Sequence, residues 1–104
     1  VELFEYTAPE QRTERPRNSD IGGHHLAFYV DDIDAAHAYV SGIPGVVVQE
    51  GPNSVDPAAP VAGQRWFSFQ TPWGMQLELT TCAGEGFYQG LPGAAMAPPS
   101  VQWR

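Results

Sequence analysis

Lysine is absent from this chain. Its five basic residues are all arginine, set against twelve acidic ones for a formal net charge of -7. A nucleic acid or an anionic membrane surface calls for a basic patch, so neither is an expected partner. The only clustered arginines, Arg12, Arg15 and Arg17, are interleaved with Glu10 and Glu14, which cancel most of their field. Cysteine is almost missing too. With Cys82 alone no intrachain disulfide can form, and a reducing, cytoplasmic compartment is the expected location. No basic or helix-start setting would activate that thiol. No apolar run approaches the roughly 20 residues that span a bilayer, and no signal-peptide pattern opens the chain. The first residue is Val1, inside strand-like sequence, so further residues are expected upstream.

What is present is enough for one small domain: 104 residues, 42% of them hydrophobic. The stretch that organises it is Gln64–Thr80, QRWFSFQTPWGMQLELT, which reads as two short strands around the turn Thr71-Pro72-Trp73-Gly74. Alternation in the second strand puts Met75, Leu77 and Leu79 on one face and Gln76, Glu78 and Thr80 on the other. Glutamate is depleted in strands, and burying its charge is costly without a partner. Glu78 therefore faces water or something positive, and a metal ion is one candidate.

Upstream, Val1–Tyr6 (VELFEY) reads as a strand with Glu2, Phe4 and Tyr6 on one face, and residues 8–21 read as an exposed linker. Gly22-Gly23 opens a strand, His24–Val30. Leu26, Phe28 and Val30 share its apolar side with His24, and His25, Ala27 and Tyr29 share the other. Asp31-Asp32 supplies an N-cap for a helix over Ile33–Ser41, with Asp34 in its first turn and an apolar stripe of Ile33, Ala36 and Val40. Gly42 and Pro44 end it. Val46–Glu50 is a further strand, and Gly51–Gly63 a loop of the kind that often contacts ligands. From Cys82 to Arg104 no period is evident, and the segment reads as a surface tail pinned by Phe87, Tyr88 and Trp103.

The order from Gly22 to Cys82 is strand, helix, strand, strand, strand: an α+β unit with a helix on one face of its sheet. The other face, carrying His25, Ala27, Tyr29, Gln76, Glu78 and Thr80, is left open. A second similar unit would close a cleft over it. VELFEY and QLELTT share an acidic residue followed by leucine, so residues 1–7 read as the last strand of such a unit, with Glu2 matching Glu78.

HHLAFYVDDIDAAHAYV followed by GQRWFSFQTPWGMQLELT resembles the second half of a vicinal-oxygen-chelate domain, the superfamily of glyoxalases, bleomycin-resistance proteins and extradiol dioxygenases. The similarity covers roughly Val1–Thr80. It implies paired βαβββ modules with a divalent metal between their sheets, held by residues of the first and last strand of each module. Carried onto this sequence, the ligands are His25 and Glu78, with Glu2 from the preceding module. A fourth, on a stretch outside this sequence, has no counterpart. An imidazole with carboxylates suits Zn, Ni, Fe, Mn or Co, and ligand type does not choose among them.

Most lone histidines are structural, but alternation, the neighbouring Glu78 and the family pattern together favour His25 as a ligand. His24 reads as structural or partly exposed, and His37 as a solvated or capping helix residue. Glu78 or Glu2 would be the proton shuttle. Tyr29, Arg65, Phe67 and Phe69 are candidates to line a substrate site, against wall, ion-pair and packing roles. The resemblance implies a metal-dependent lyase or isomerase of the glyoxalase type, acting on a small substrate with adjacent oxygens, with a homodimer as one way to supply the facing sheet. The rivals are a metal-free bleomycin-resistance-type binding protein and an extradiol dioxygenase. Against the last, dioxygenases carry a tyrosine where Ser68 stands, and no histidine lies between Gly42 and Thr80.

Overall fold

The computed structural model describes residues 2–59, 62–82 and 93. Its elements are β1 (Leu26–Tyr29), α1 (Ile33–Ser41), β2 (Val47–Val48), β3 (Asn53–Ser54), β4 (Arg65–Gln70) and β5 (Gln76–Thr80). They form one mixed sheet in the order β1-β5-β4-β2, with β3 also paired to β4. β1 runs parallel to β5, and all the other pairs are antiparallel. This is the α+β, βαβββ-type arrangement expected from the sequence, with one refinement. The strand expected over Val46–Glu50 is the first piece of a longer one. β2 and β3 lie end to end along β4, Val47–Val48 opposite Gln70–Phe69 and Asn53–Ser54 opposite Trp66–Arg65. Gln49 N donates to Ser68 O at 3.0 Å, so the ladder continues for one more residue before it breaks. Residues 50–52 are then left against Phe67 alone, which makes the interruption a bulge.

Local chemistry explains the elements. Asp32, extended at φ -121°, caps α1 by accepting from Asp34 N at 3.1 Å and Ala35 N at 2.9 Å. The helix ends at Gly42, where the Gly42 and Ile43 amides turn back to Tyr39 O and Val40 O before Pro44 prevents continuation. In the β4–β5 turn, Gly74 N donates to Thr71 O at 2.9 Å, and Gly74 holds φ +95°, a conformation that glycine adopts at no steric cost. Thr71 is buried with its hydroxyl bonded to Met75 N and O, so no polar group is stranded there.

The core lies between α1 and the sheet. Ile33 and Val40 from the helix meet Phe67 and Phe69 from β4, with Val30, Ala36, Val46, Val48, Leu77 and Leu79 packed around them. Register sets the partition: Phe67 pairs with Leu79 and Phe69 with Leu77, while Ser68 pairs with Glu78 on the opposite face.

Three expectations need correcting. Residues 2–7 form no strand here, and Leu3, Phe4 and Tyr6 are exposed. A strand needs a neighbour for its backbone groups, and among the described residues nothing pairs with residues 2–7. Leu26 and Phe28 are about 40% exposed (39% and 42%), because α1 packs over β2, β4 and β5 and does not reach β1. His37 is not a solvated helix residue; its ring meets that of Phe67 edge-on at 5.0 Å. The tail from residue 83, with Phe87, Tyr88 and Trp103, lies outside the described residues apart from Gly93. Among the described residues no helix is long and apolar enough to cross a membrane.

Candidate active site on the open face of the sheet

The face away from α1 is built from alternate residues of three adjacent strands. β5 contributes Gln76, Glu78 and Thr80, β4 contributes Trp66, Ser68 and Gln70, and β1 contributes Ala27 and Tyr29, with His25 just before it. Parallel pairing of β1 with β5 sets Ala27 beside Glu78, and His25 two residues earlier stays on the same side. Its Nε2 lies 3.3 Å from Glu78 Oε2. The His25 side chain is 36% exposed and that of Glu78 20%, so the pair sits in the surface and is open to a ligand.

This separation suits two uses. It is within the distance of an imidazole–carboxylate ion pair. It also matches the roughly 3.3 Å between neighbouring donors of a tetrahedral metal held at about 2.0–2.1 Å. Nitrogen and carboxylate oxygen are donors that divalent first-row metals accept. The two residues therefore fit half of such a site. Among the described residues no third histidine, cysteine, aspartate or glutamate joins them. Glu2, expected as a further ligand and proton shuttle, is accordingly not brought to the pair, because its segment has no strand partner among the described residues.

The substrate-lining candidates divide. Tyr29 is on the open face, and its hydroxyl donates to Asp31 Oδ1 at 2.7 Å, which ties the ring to the end of β1. Phe67 is 0% exposed and Phe69 8%, both under α1, so they line the core and not a substrate wall. Arg65 also lies on the helix side. Its guanidinium makes a two-pronged pair with Asp34, Nη1–Oδ2 at 2.7 Å and Nη2–Oδ1 at 2.9 Å. The hydrogen bond from Arg65 holds the Asp34 carboxyl below its ordinary range, and the same bond raises the guanidinium's own pKa. Arg65 thus serves as a clamp between β4 and the helix start, the ion-pair role weighed for it from sequence.

Sequence reasoning missed the residues that shape the ground next to Glu78. Beside Ser68 the bulge leaves a cavity of about 250 Å³ lined by Gln49, Glu50, Asn53, Trp66 and Ser68. One signal was available: counting equal steps back from the Thr71–Gly74 turn places Ser68 opposite Glu78 and Trp66 opposite Thr80. Nothing in the sequence marked Asn53, in a two-residue strand of poor strand formers.

Over 90 residues, 86% of this chain, the sequence is 56% identical to a protein named 2-epi-5-epi-valiolone epimerase from an Actinomyces species. Those residues cover 49% of that protein, so the chain spans about half the length of the curated relative it matches. No family model matches the chain, and no solved structure matches it.

Proposed function

We propose that the chain belongs to the vicinal-oxygen-chelate superfamily and carries one half of the active site of an epimerase that inverts a carbon beside the ketone of a small polyhydroxylated ring. The observation that carries this reading is the His25–Glu78 pair on the uncovered face of the sheet, at 3.3 Å. The similarity to an enzyme named for epimerising 2-epi-5-epi-valiolone supplies the reaction type. It favours isomerase chemistry over lyase chemistry, over ring-cleaving dioxygenation and over sequestration without turnover.

Inversion beside a ketone requires a proton to leave the carbon from one side of the ring and another to arrive from the opposite side. Where that carbon bears a hydroxyl, deprotonation gives an enediolate with two adjacent oxygens. A divalent cation held by His25 Nε2 and Glu78 Oε2 would supply Lewis-acid stabilisation of that charge. Glu78 Oε1 is then left to accept or return the proton on the side of the ring that faces this sheet. His25 Nε2, 3.3 Å from the same carboxylate, would hold the cation beside the base, so the base waits in place and little reorganisation accompanies the transfer. The second acid–base group, on the far side of the ring, comes from a facing half. Glu2 is a candidate for that half if VELFEY pairs into its sheet there. A second copy of the chain or further sequence of the same polypeptide would provide it.

The test is proton exchange in deuterium oxide. The full-length protein, supplied with a divalent metal, should incorporate deuterium from solvent into 2-epi-5-epi-valiolone at the inverted carbon. Bound metal, measured directly, should fall in both His25→Ala and Glu78→Ala. A protein that neither exchanges nor epimerises with metal present, or a Glu78→Gln variant that exchanges at the native rate, would sink the proposal.

A further inference from the structure

The bulge between β2 and β3 is a place where the chain departs from a regular sheet. Residues 50–52 loop out against one residue of β4, and Gly51 makes this possible. Gly51 holds φ +107°, and a Cβ there would lie 2.8 Å from Phe67 Cβ and 3.2 Å from Trp66 O. The effect is local and specific. The strand edge bends away beside Ser68, leaving the cavity of about 250 Å³ next to the cross-strand neighbour of Glu78.

The lining of this cavity has an unusual chemistry for so small a space. It holds two amides (Gln49, Asn53), one hydroxyl (Ser68), one carboxylate (Glu50), one indole (Trp66) and no cation. Amides and hydroxyls both donate and accept, and a carboxylate accepts from two hydroxyls at once. An indole offers a flat apolar wall to the C–H face of a ring. The nearest arginine in sequence, Arg65, is turned to the helix side and engaged by Asp34. A phosphate or carboxylate placed here would face Glu50 with no basic partner among the lining residues.

We propose that this cavity is a recognition subsite for the hydroxyl groups of a small uncharged polyol ring, seating it with its reacting carbon toward Glu78 and discriminating against phosphorylated analogues. The inference rests on the epimerase reading for the identity of the reacting ring, and on the cavity alone for the ligand chemistry. Gln49 and Asn53 are its hydroxyl-reading residues. Glu50 is both an acceptor and the element that repels anions. At about 250 Å³ the cavity is slightly smaller than ordinary small-molecule sites of roughly 300–1,000 Å³, as fits a single ring partly covered from the other side.

The experiment is a pair of titrations followed by ¹H–¹⁵N NMR, using myo-inositol as an unreactive neutral polyol and inositol monophosphate as its charged counterpart. Inositol should shift the amides of Gln49, Asn53 and Ser68 and the indole of Trp66, and the monophosphate at equal concentration should not. Gln49→Ala and Asn53→Ala should each weaken inositol binding by about five- to tenfold, the worth of a lost hydrogen bond. Glu50→Gln should admit the monophosphate. In turnover the same alanine variants should raise KM far more than they lower kcat, with Ser54→Ala, on the other face, as the unaffected control. Shifts outside the cavity, no shifts, or equal binding of the monophosphate would overturn the proposal. Cavity binding without any deuterium exchange would overturn the epimerase reading and support the subsite. Exchange with KM unchanged in both alanine variants would do the reverse.

Discussion

The two faces of this sheet are cut from the same strands, yet they obey opposite rules. On β4 and β5 successive residues go alternately to each side. One side collects Phe67, Phe69, Leu77 and Leu79 under Ile33 and Val40 of the helix. The other collects Ser68, Glu78, Gln76 and Thr80, with His25 beside them. Burial without polar atoms on the first face supplies the free energy of folding. On the second face polar groups are kept within reach of solvent and of a ligand, where they contribute little to stability and can do chemistry. A domain of this size has little stability to spare. The division of labour between faces should therefore be sharp, and substitution can probe it.

The largest effect is expected at Phe67, whose ring is fully buried. Phe67→Ala should cost about 3–5 kcal/mol in urea unfolding, a large share of the roughly 5–15 kcal/mol typical of a whole domain. Its activity should fall only as far as the folded fraction falls. Glu78→Gln should do the opposite. Exchange and epimerisation should drop by about 10²–10⁴-fold, the usual worth of a positioned acid–base group. The unfolding midpoint should barely move, as for most substitutions outside the core. If Glu78→Gln unfolded the protein, or Phe67→Ala spared its stability, the contrast between faces would collapse.

The contrast also explains what could be read in advance. Helix α1 was legible because Asp32, Ile33, Ala36, Val40 and Pro44 sit where capping, packing and termination need them. The facing of His25 with Glu78 followed from period-two alternation once β1 and β5 were taken as neighbours. Phe67 and Phe69 were left between a substrate wall and the core because their face depends on cross-strand register, which is set by the turn and not by the strand's own pattern. Arg65 was undecided for a related reason, since its partner Asp34 lies 31 residues away on another element. VELFEY has the composition of a strand, but strand formation depends on a partner, and composition cannot supply one. The cavity was illegible because it arises from a bulge, where the ladder skips residues and alternation no longer tells direction.

Gly51 is where the two faces meet. Adding one methyl group there would push on Phe67 beneath and reshape the bulge above. Gly51→Ala should cost about 1–3 kcal/mol, from a left-handed backbone and an overpacked contact together. Unlike Phe67→Ala, it should also weaken inositol binding in the molecules that remain folded. Stability lost with cavity binding intact would mean that the bulge is there for packing alone.

The smallest effect sharpens the comparison at its edge, at Arg65, which was weighed as a substrate contact against an ion pair. The hydrogen bond from Arg65 lowers the Asp34 carboxyl below its ordinary 3.8. A carboxyl with a depressed folded-state pKa contributes stability that is fully present above the unfolded value. That contribution is lost as pH falls through the folded value. The stability difference between the native protein and Asp34→Asn should therefore be constant above about pH 5 and shrink steadily as the solution is acidified. Asp20, lowered in the same way by Arg17, follows the same course in both proteins and cancels from the difference. Because the pair is exposed, the difference should be small and should shrink further in high salt. Turnover should not change at neutral pH. A loss of activity in Asp34→Asn at unchanged stability would mean that Arg65, once released, competes for the reacting ring, and the helix side of the sheet would then no longer be purely structural.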